Sequence, residues 1–362
     1  MPRQLHRIAI IIPVCLLVWL LISTLEVKKT AYSCRTLLSC IGLGSHRRYQ
    51  YSSATANPTE SELVLRDETA RFSRTTEGAA PDLLILVLAR DARSWSQDFR
   101  STQRTAYDFV DLLASTRLNL STVSLAMATT DPALYTSMRT ATLRLPLAKT
   151  SLYLQKEPEI TAPYRLRHDP SLQLARRAGL AKLRNRLMHY ALEDEQHLLW
   201  LDADVVELSP NLVQTLIAQS LSNERAGIIT AMCHQNEMEN YDKNAWRLNS
   251  PSLMGAIPGE QREESVRRLV AEQLFLPAVM DDVDEGGLIQ IDSVGGTVLY
   301  MRAELVRQGL VFPYFNAVGT EWGRPGWIGV ETEGLCYMAR ELEGGGCFAL
   351  GRGHWARHTD WG

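Results

Sequence analysis

The sequence predicts an α/β fold with a mainly parallel central sheet, and three observations carry that prediction. Apolar-rich runs recur at residues 83–88, 122–127, 198–201 and 227–232, the first of them continuous, and read as buried strands. Between them, residues 99–114, 171–192 and the stretch opened by Ser209-Pro210 space their apolar side chains as helices do. Strand and helix alternating in this way imply right-handed crossovers between parallel neighbours. Third, the runs end in polar groups: Arg90-Asp-Ala-Arg93, Thr129-Thr-Asp131-Pro132 and Asp202-Ala-Asp204. Open α/β sheets bind ligands outside the carboxyl ends of their strands.

Composition narrows the class. The net charge of -3, with 45% apolar and 22% charged residues, argues against a nucleic-acid partner, which would need a basic face. The six cysteines show no metal-ligand spacing and are too sparse for a disulfide scaffold; Cys34 and Cys40 could pair, or all could be free thiols. Residues 8–25 form an uncharged apolar run just long enough to span a bilayer, with residues 1–7 as a short cytoplasmic tail. The expected topology is an uncleaved single-pass anchor of type II, with everything after it lumenal; a signal peptide is the plain alternative. Residues 26–80, rich in Ser, Thr, Arg and Glu, read as a flexible stem, and residues 81–362 as the folded domain. Asn119-Leu-Ser121 is a glycosylation acceptor triplet that this topology would expose.

The chemistry concentrates after the third run. Asp202 and Asp204 are two apart in extended backbone and point to one side, so a hard divalent cation could sit between them and a ligand's phosphates. The bland reading makes Asp202 only the N-cap of the next helix. The helix at 171–192 is basic; Arg184 and Asn185 could reach an anionic donor, or form part of a solvated cationic face. Residues 158–170 are irregular and carry Arg165, Arg167 and His168. The loop at 236–250 holds Tyr241, Asp242, Asn244 and Trp246, residue types that bind sugar hydroxyls, though a surface loop of this composition is ordinary. Residues 281–285 are an acidic cluster without the alternating spacing of a calcium loop. Gly295-Gly296 permit close approach of a ligand, or form a simple turn. Glu331 and Glu333 open a helix and point in different directions, so one at most meets a ligand.

In order and spacing these blocks resemble the fungal Golgi α-mannosyltransferases of the Anp/Van type, glycosyltransferase family sixty-two, whose members include mannan polymerase subunits. The resemblance rests on Ala181-Lys-Leu-Arg-Asn185, Leu199-Trp-Leu-Asp-Ala-Asp-Val-Val206, Tyr241-Asp-Lys-Asn-Ala-Trp246, Asp292-Ser-Val-Gly-Gly-Thr297, Val311-Phe-Pro313 and Glu331-Thr-Glu-Gly334. It departs from the family pattern at residues 319–327, which look inserted, and around His354 and His358.

The resemblance implies a GT-A domain at the Golgi membrane, a GDP-mannose donor, a divalent cation of the Mn2+ type, and transfer with retention onto a mannan or N-glycan acceptor. It also implies partnership with other mannosyltransferase subunits. Carried over by position, Asp202, Asp204 and His358 would hold the metal. Arg90, Asp131, Arg184, Asn185 and Asp202 would meet the donor, and Asp292, Glu331 or Glu333 the reacting sugar. Tyr241, Asp242, Asn244 and Trp246 would meet the acceptor. The rival readings are a catalytically silent scaffold subunit and a transferase using another nucleotide sugar, with a soluble phosphatase or nuclease last.

Overall fold

The sheet begins with a hairpin where the sequence reads as stem. The computed structural model describes residues 58–97, 102–156, 169–236, 238–250, 261–280, 283–320, 323–324 and 326–359. β1 (Pro58–Val64) and β2 (Ala70–Thr76) pair antiparallel, and β2 continues onto the main sheet. Residues 58–76, expected to be part of a flexible stem, are therefore paired strands. β2 is anchored by Phe72, which lies in the core, while β1 is exposed almost throughout and carries no burial pattern to read. The apolar run at 8–25, residues 26–57 of the expected stem, residues 157–168 and Asp281-Asp282 lie outside the described residues. Among the described residues no helix is long and apolar enough to cross a membrane.

The next elements follow the expected alternation. They are β3 (Leu83–Leu88), α1 (Ala106–Ser115), β4 (Val123–Thr129), α2 (Pro132–Thr142), β5 (Lys149–Leu154), α3 (Pro170–Ala191) and β6 (His197–Leu201). α1 starts later than its apolar pattern, because Thr105 and Asp108 close a reciprocal capping box there. Beyond β6 come β7 (Val205–Leu208), α4 (Leu212–Ser222), β8 (Ile228–Thr230), β9 (Met232–His234), β10 (Trp246–Leu248), α5 (Arg262–Ala271), β11 (Gln273–Phe275) and α6 (Leu276–Val279). α4 is led in by Asn211 in left-handed geometry rather than capped by Ser209, whose hydroxyl instead accepts from the Trp355 amide at 2.9 Å. The last elements are β12 (Leu288–Gln290), β13 (Val298–Arg302), α7 (Ala303–Arg307), α8 (Thr332–Ala339), β14 (Cys347–Leu350) and β15 (Trp355–His358).

The ten-stranded sheet has the order β1-β2-β5-β4-β3-β6-β13-β8-β14-β12. It is mixed, not mainly parallel. β5, β4, β3 and β6 are parallel, as are β8 and β14, but β13 runs antiparallel to both β6 and β8, and β2 and β12 are antiparallel to their neighbours. An apolar run reports burial and says nothing of strand direction. Along β6 the side chains alternate between two cores, Leu199 and Leu201 on one face and Leu198 and Trp200 on the other. A disulfide joins Cys336 of α8 to Cys347 of β14, a pairing that spacing did not indicate; Cys34 and Cys40 lie outside the described residues.

A second, three-stranded sheet brings the chain's end to the main one. β15 lies between β7 and β9, and its register slips at Arg357/His358 so that His358 faces Val205.

Candidate active site

β6 ends at the same edge of the sheet as β3 and β4, and the chain turns sharply there. The Asp202 amide donates to the Thr297 carbonyl just before β13 at 3.0 Å, and Val205 N–H returns to the Asp202 carbonyl at 3.2 Å. This turn sets Asp202 and Asp204 on the wall of a cleft of about 680 Å³ that also meets the carboxyl ends of β3 and β4.

Opposite stands α3. Arg184 is buried; its Nη2 donates to Asp202 Oδ1 at 3.1 Å, and its Nε pairs with Glu331 Oε1 at 3.0 Å. Its guanidinium lies 4.9 Å from the Trp200 ring centre and 5.5 Å from that of Phe312, so aromatic faces fill the sides that no carboxylate covers. Asp204 turns the other way, with Oδ2 at 2.9 Å from His358 Nε2. His358 Nδ1 meets the Thr359 carbonyl at 2.9 Å, and Tyr241 lies against the ring at 4.3 Å between centres. With Nδ1 committed to that carbonyl, Nε2 is the atom left for an anion or a metal.

Electrostatics marks out Asp202. Burial pushes the Asp202 carboxyl up to about 7; Arg184 pulls it down, but the charges of Asp204, Asp242 and Glu331 raise it further. Four carboxylates, Asp202, Asp204, Asp242 and Glu331, thus crowd the corner around the buried Arg184. For His358, burial lowers the basicity of the ring, but the Asp204 hydrogen bond and charge outweigh that and leave it raised.

The other expected residues divide. Arg90, Tyr241, Asp242 and Asn244 line the cleft together with Asp202, Asp204, Arg184, Glu331 and His358. Asp242 is engaged with protein: its Oδ2 accepts from Gly296 N (2.7 Å), Thr297 N (3.2 Å) and Thr297 Oγ1 (3.1 Å). Four residues are used structurally and do not line the cleft. Asp131 caps α2, accepting from Ala133 N at 2.8 Å. Asn185 brackets the Phe312 backbone, donating to its carbonyl and accepting from its amide, each at 2.8 Å. Trp246 is buried against Leu248 and Leu269, because β10 turns it inward. Asp292 accepts from the Leu248 amide at 2.7 Å and faces a separate cavity beside the disulfide. Of the two glutamates, Glu331 faces the cleft, whereas Glu333 turns to Arg177 at 3.1 Å.

Glu331 has a backbone conformation that side chains avoid, φ 62° and ψ −131°. Its amide donates to the Pro313 carbonyl at 2.7 Å, and Arg177 and Arg184 hold its carboxylate from two sides.

Comparison with known proteins decides the family. Residues 71–316 match the family described as Anp1, well over half of the chain. The chain belongs to the Anp1 family. The match includes Arg184, Asp202, Asp204 and Asp242 and stops short of Glu331 and His358. Among relatives of this Anp1-family chain are the mannan polymerase complex subunit mnn9 of Schizosaccharomyces pombe, 30% identical over 193 residues, 51% of this chain and 52% of that one. The mannan polymerase complex subunit MNN9 of Candida albicans is 28% identical over 185 residues, 49% of this chain and 48% of the relative. The chain thus spans about half the length of the curated relatives it matches. A solved structure of GalNAc-T7 with UDP, GalNAc and Mn2+ aligns over 80% of this chain and 46% of its own, at 10% identity and a TM-score of 0.45. The mannosyltransferase PcManGT from Pyrobaculum calidifontis, in complex with GDP-Man and Mn2+, aligns over 78% of this chain and 59% of its own, at 10% identity and 0.38. Scores that low carry no functional assignment.

Sequence reasoning missed Arg177 and Gln235 in this Anp1-family site. Arg177 lies seven residues before Arg184, two helical turns away on the same face, and that spacing was an available signal. Its Nη2 donates to the Val330 carbonyl at 2.8 Å beside its pairing with Glu333. Gln235 reaches the Thr359 carbonyl at 2.8 Å behind His358 and gives no sequence signal. His354, the other candidate histidine, packs near Gly286 and does not line the cleft.

Proposed function

We propose that this chain is a divalent-cation-dependent retaining α-mannosyltransferase that moves mannose from GDP-mannose onto a mannan or N-glycan acceptor. Its domain would be a GT-A domain in the Golgi lumen, held by the anchor at 8–25 and partnered by other mannosyltransferase subunits. The observation that carries the reading is Asp202-Ala-Asp204 at the carboxyl end of β6, with His358 on Asp204, in an Anp1-family chain whose relatives bear mannan polymerase names.

The residues present suit a cation of the Mn2+ type. Two carboxylates and an imidazole nitrogen are a mixed donor set, and the carboxylates crowded around Asp202 are groups whose charge a dication would offset. They are not a closed cage: among the described residues no group of three or more His, Cys, Asp or Glu stands ready for a metal. Asp202 is paired with Arg184, and Asp204 with His358. When bound, the cation would act as a Lewis acid on the leaving diphosphate.

The protein's own groups supply the rest. Arg184 holds Asp202 and Glu331 in fixed relation. Arg90 lines the cleft at the end of β3, where it can meet a phosphate. Glu331 is the carboxylate best set to face the reacting sugar, since Glu333 and Asp292 turn elsewhere.

The test is donor hydrolysis and transfer by the purified protein with Mn2+, comparing GDP-mannose with UDP-sugars. The reading expects mannose transfer that a chelator or Asp204→Ala abolishes. Unchanged turnover in either case would sink the metal-dependent mechanism, and calorimetry without GDP binding in the presence of Mn2+ would favour a scaffold subunit.

A further inference from the structure

We infer that Asn119 carries an N-linked glycan. Asn119-Leu120-Ser121 is the one acceptor triplet in the chain, because proline blocks Asn57-Pro58-Thr59. A triplet in sequence is weak evidence, and the structure adds three observations to it.

First, Asn119 is exposed on the bulge between α1 and β4, with extended backbone at φ −73° and ψ 90°. It precedes a single helical turn, Leu120–Thr122, yet its side chain caps nothing. Second, the Ser121 hydroxyl donates to Asn119 Oδ1 at 2.8 Å. The two groups the modification needs are therefore in contact, and the amide nitrogen points to no protein partner among the described residues. Third, the bulge is pinned beneath: Leu120 and Val123 are buried, and the Leu120 carbonyl accepts from the Ala148 amide at 3.2 Å. A bulky group at Asn119 projects outward without disturbing the core.

Position makes the glycan compatible with catalysis. Asn119 lies before the amino end of β4, whereas Ala128, Thr129 and Thr130 at the other end line the cleft. Seven strand residues separate the two ends by about 20 Å. The chemistry is a group transfer. The Asn119 amide nitrogen forms a bond to the anomeric carbon of an oligosaccharide carried on a lipid diphosphate. The carbon–oxygen bond to the diphosphate breaks, the diphosphate leaves with the electron pair, and a base takes the amide proton.

This inference rests on the lumenal reading above, and one experiment tells the two apart. The full chain is translated with microsomes of the endoplasmic reticulum, then assayed for protease protection and for a gel shift that a glycan-removing amidase reverses. The expected result is a protected chain with a shift of one glycan, lost in Asn119→Gln and Ser121→Ala and kept in Ser121→Thr. Asn119→Gln should leave mannosyl transfer within about twofold, as expected for a site far from the cleft. A protected chain without the shift overturns the glycan and leaves the topology standing. An unprotected, unshifted chain overturns both.

Discussion

Glu331 offers a way to separate backbone strain from charge at one position. Glu331→Ala removes the carboxylate and keeps a Cβ at φ 62°; Glu331→Gly removes both. At the 3.0 Å separating Glu331 from Arg184, and an effective dielectric near 20, the gross attraction is about 5–6 kcal/mol. Deleting one partner of a buried pair has a net cost of about 3–5 kcal/mol. Arg184 keeps Asp202 at 3.1 Å, so the lower end, about 3 kcal/mol, is expected for both variants. The strained conformation separates them by a further amount of about 1–3 kcal/mol. In an ordinary helix or strand glycine is worse than alanine by about 0.5–1 kcal/mol, so the expected order is inverted here. Urea unfolding should find Glu331→Gly more stable than Glu331→Ala by about 1–2 kcal/mol, with both inactive in transfer. If alanine equals or exceeds glycine, the strain is not real and the reasoning fails.

Three further outcomes are expected. Because His358 is held above its ordinary value, its pairing with Asp204 stabilises the metal-free protein below that value and is lost as pH rises through the raised one. A cation sharing those atoms must gain affinity as that pairing is lost, so calorimetric Mn2+ binding should tighten as pH rises above the ordinary histidine value of 6.5, and a flat profile would mean the atoms are not shared. Separating Cys336 from Cys347, which closes a loop of 11 residues, should lower stability by about 3 kcal/mol; equal urea midpoints with and without reductant would count against a structural role. A Cβ at Gly296 would lie 3.0 Å from Arg184 Nη2 and 3.3 Å from Thr332 Cγ2, so Gly296→Ala should displace Arg184 and cut transfer at least tenfold without changing any charge. Activity close to that of the parent would show that Arg184 positions nothing.

The parts of this molecule that sequence made legible are those where one local property decides the outcome. The runs in β3, β4 and β6 are apolar because both faces are buried, and Asp202-Ala-Asp204 stands out because charge interrupts such a run. Properties set by contacts distant in the chain were not legible. β1 is exposed and has no pattern, so it read as stem. Trp246 and Asp292 sit in motif-like text yet face away from the cleft: Trp246 packs on Leu248 and Leu269, and Asp292 accepts from the Leu248 amide. Asp131 and Asn185 are spent on the backbone, one as a cap and one as a bracket, which their residue types permit equally well.

The antiparallel strand explains why so many carboxylates meet at one corner. Had β13 run parallel to β6, its carboxyl end would stand beside Asp202. Running backwards, it instead brings its amino-terminal lead-in there, with Val298 opposite Leu201 and the Thr297 carbonyl on the Asp202 amide. That lead-in is the Gly295-Gly296 turn, and both glycines are required by what surrounds them. A Cβ at Gly295 would come within 2.5 Å of Asp242 Oδ2, and one at Gly296 would press on Arg184. Close approach is therefore needed, as the paired glycines imply, but what approaches is the protein's own charge network. Asp242 holds the turn, the turn floors Arg184, and Arg184 spans Asp202 and Glu331. One change of strand direction thus couples the loop at 241–244, the helix α3 and the glutamate before α8 into a single charged corner.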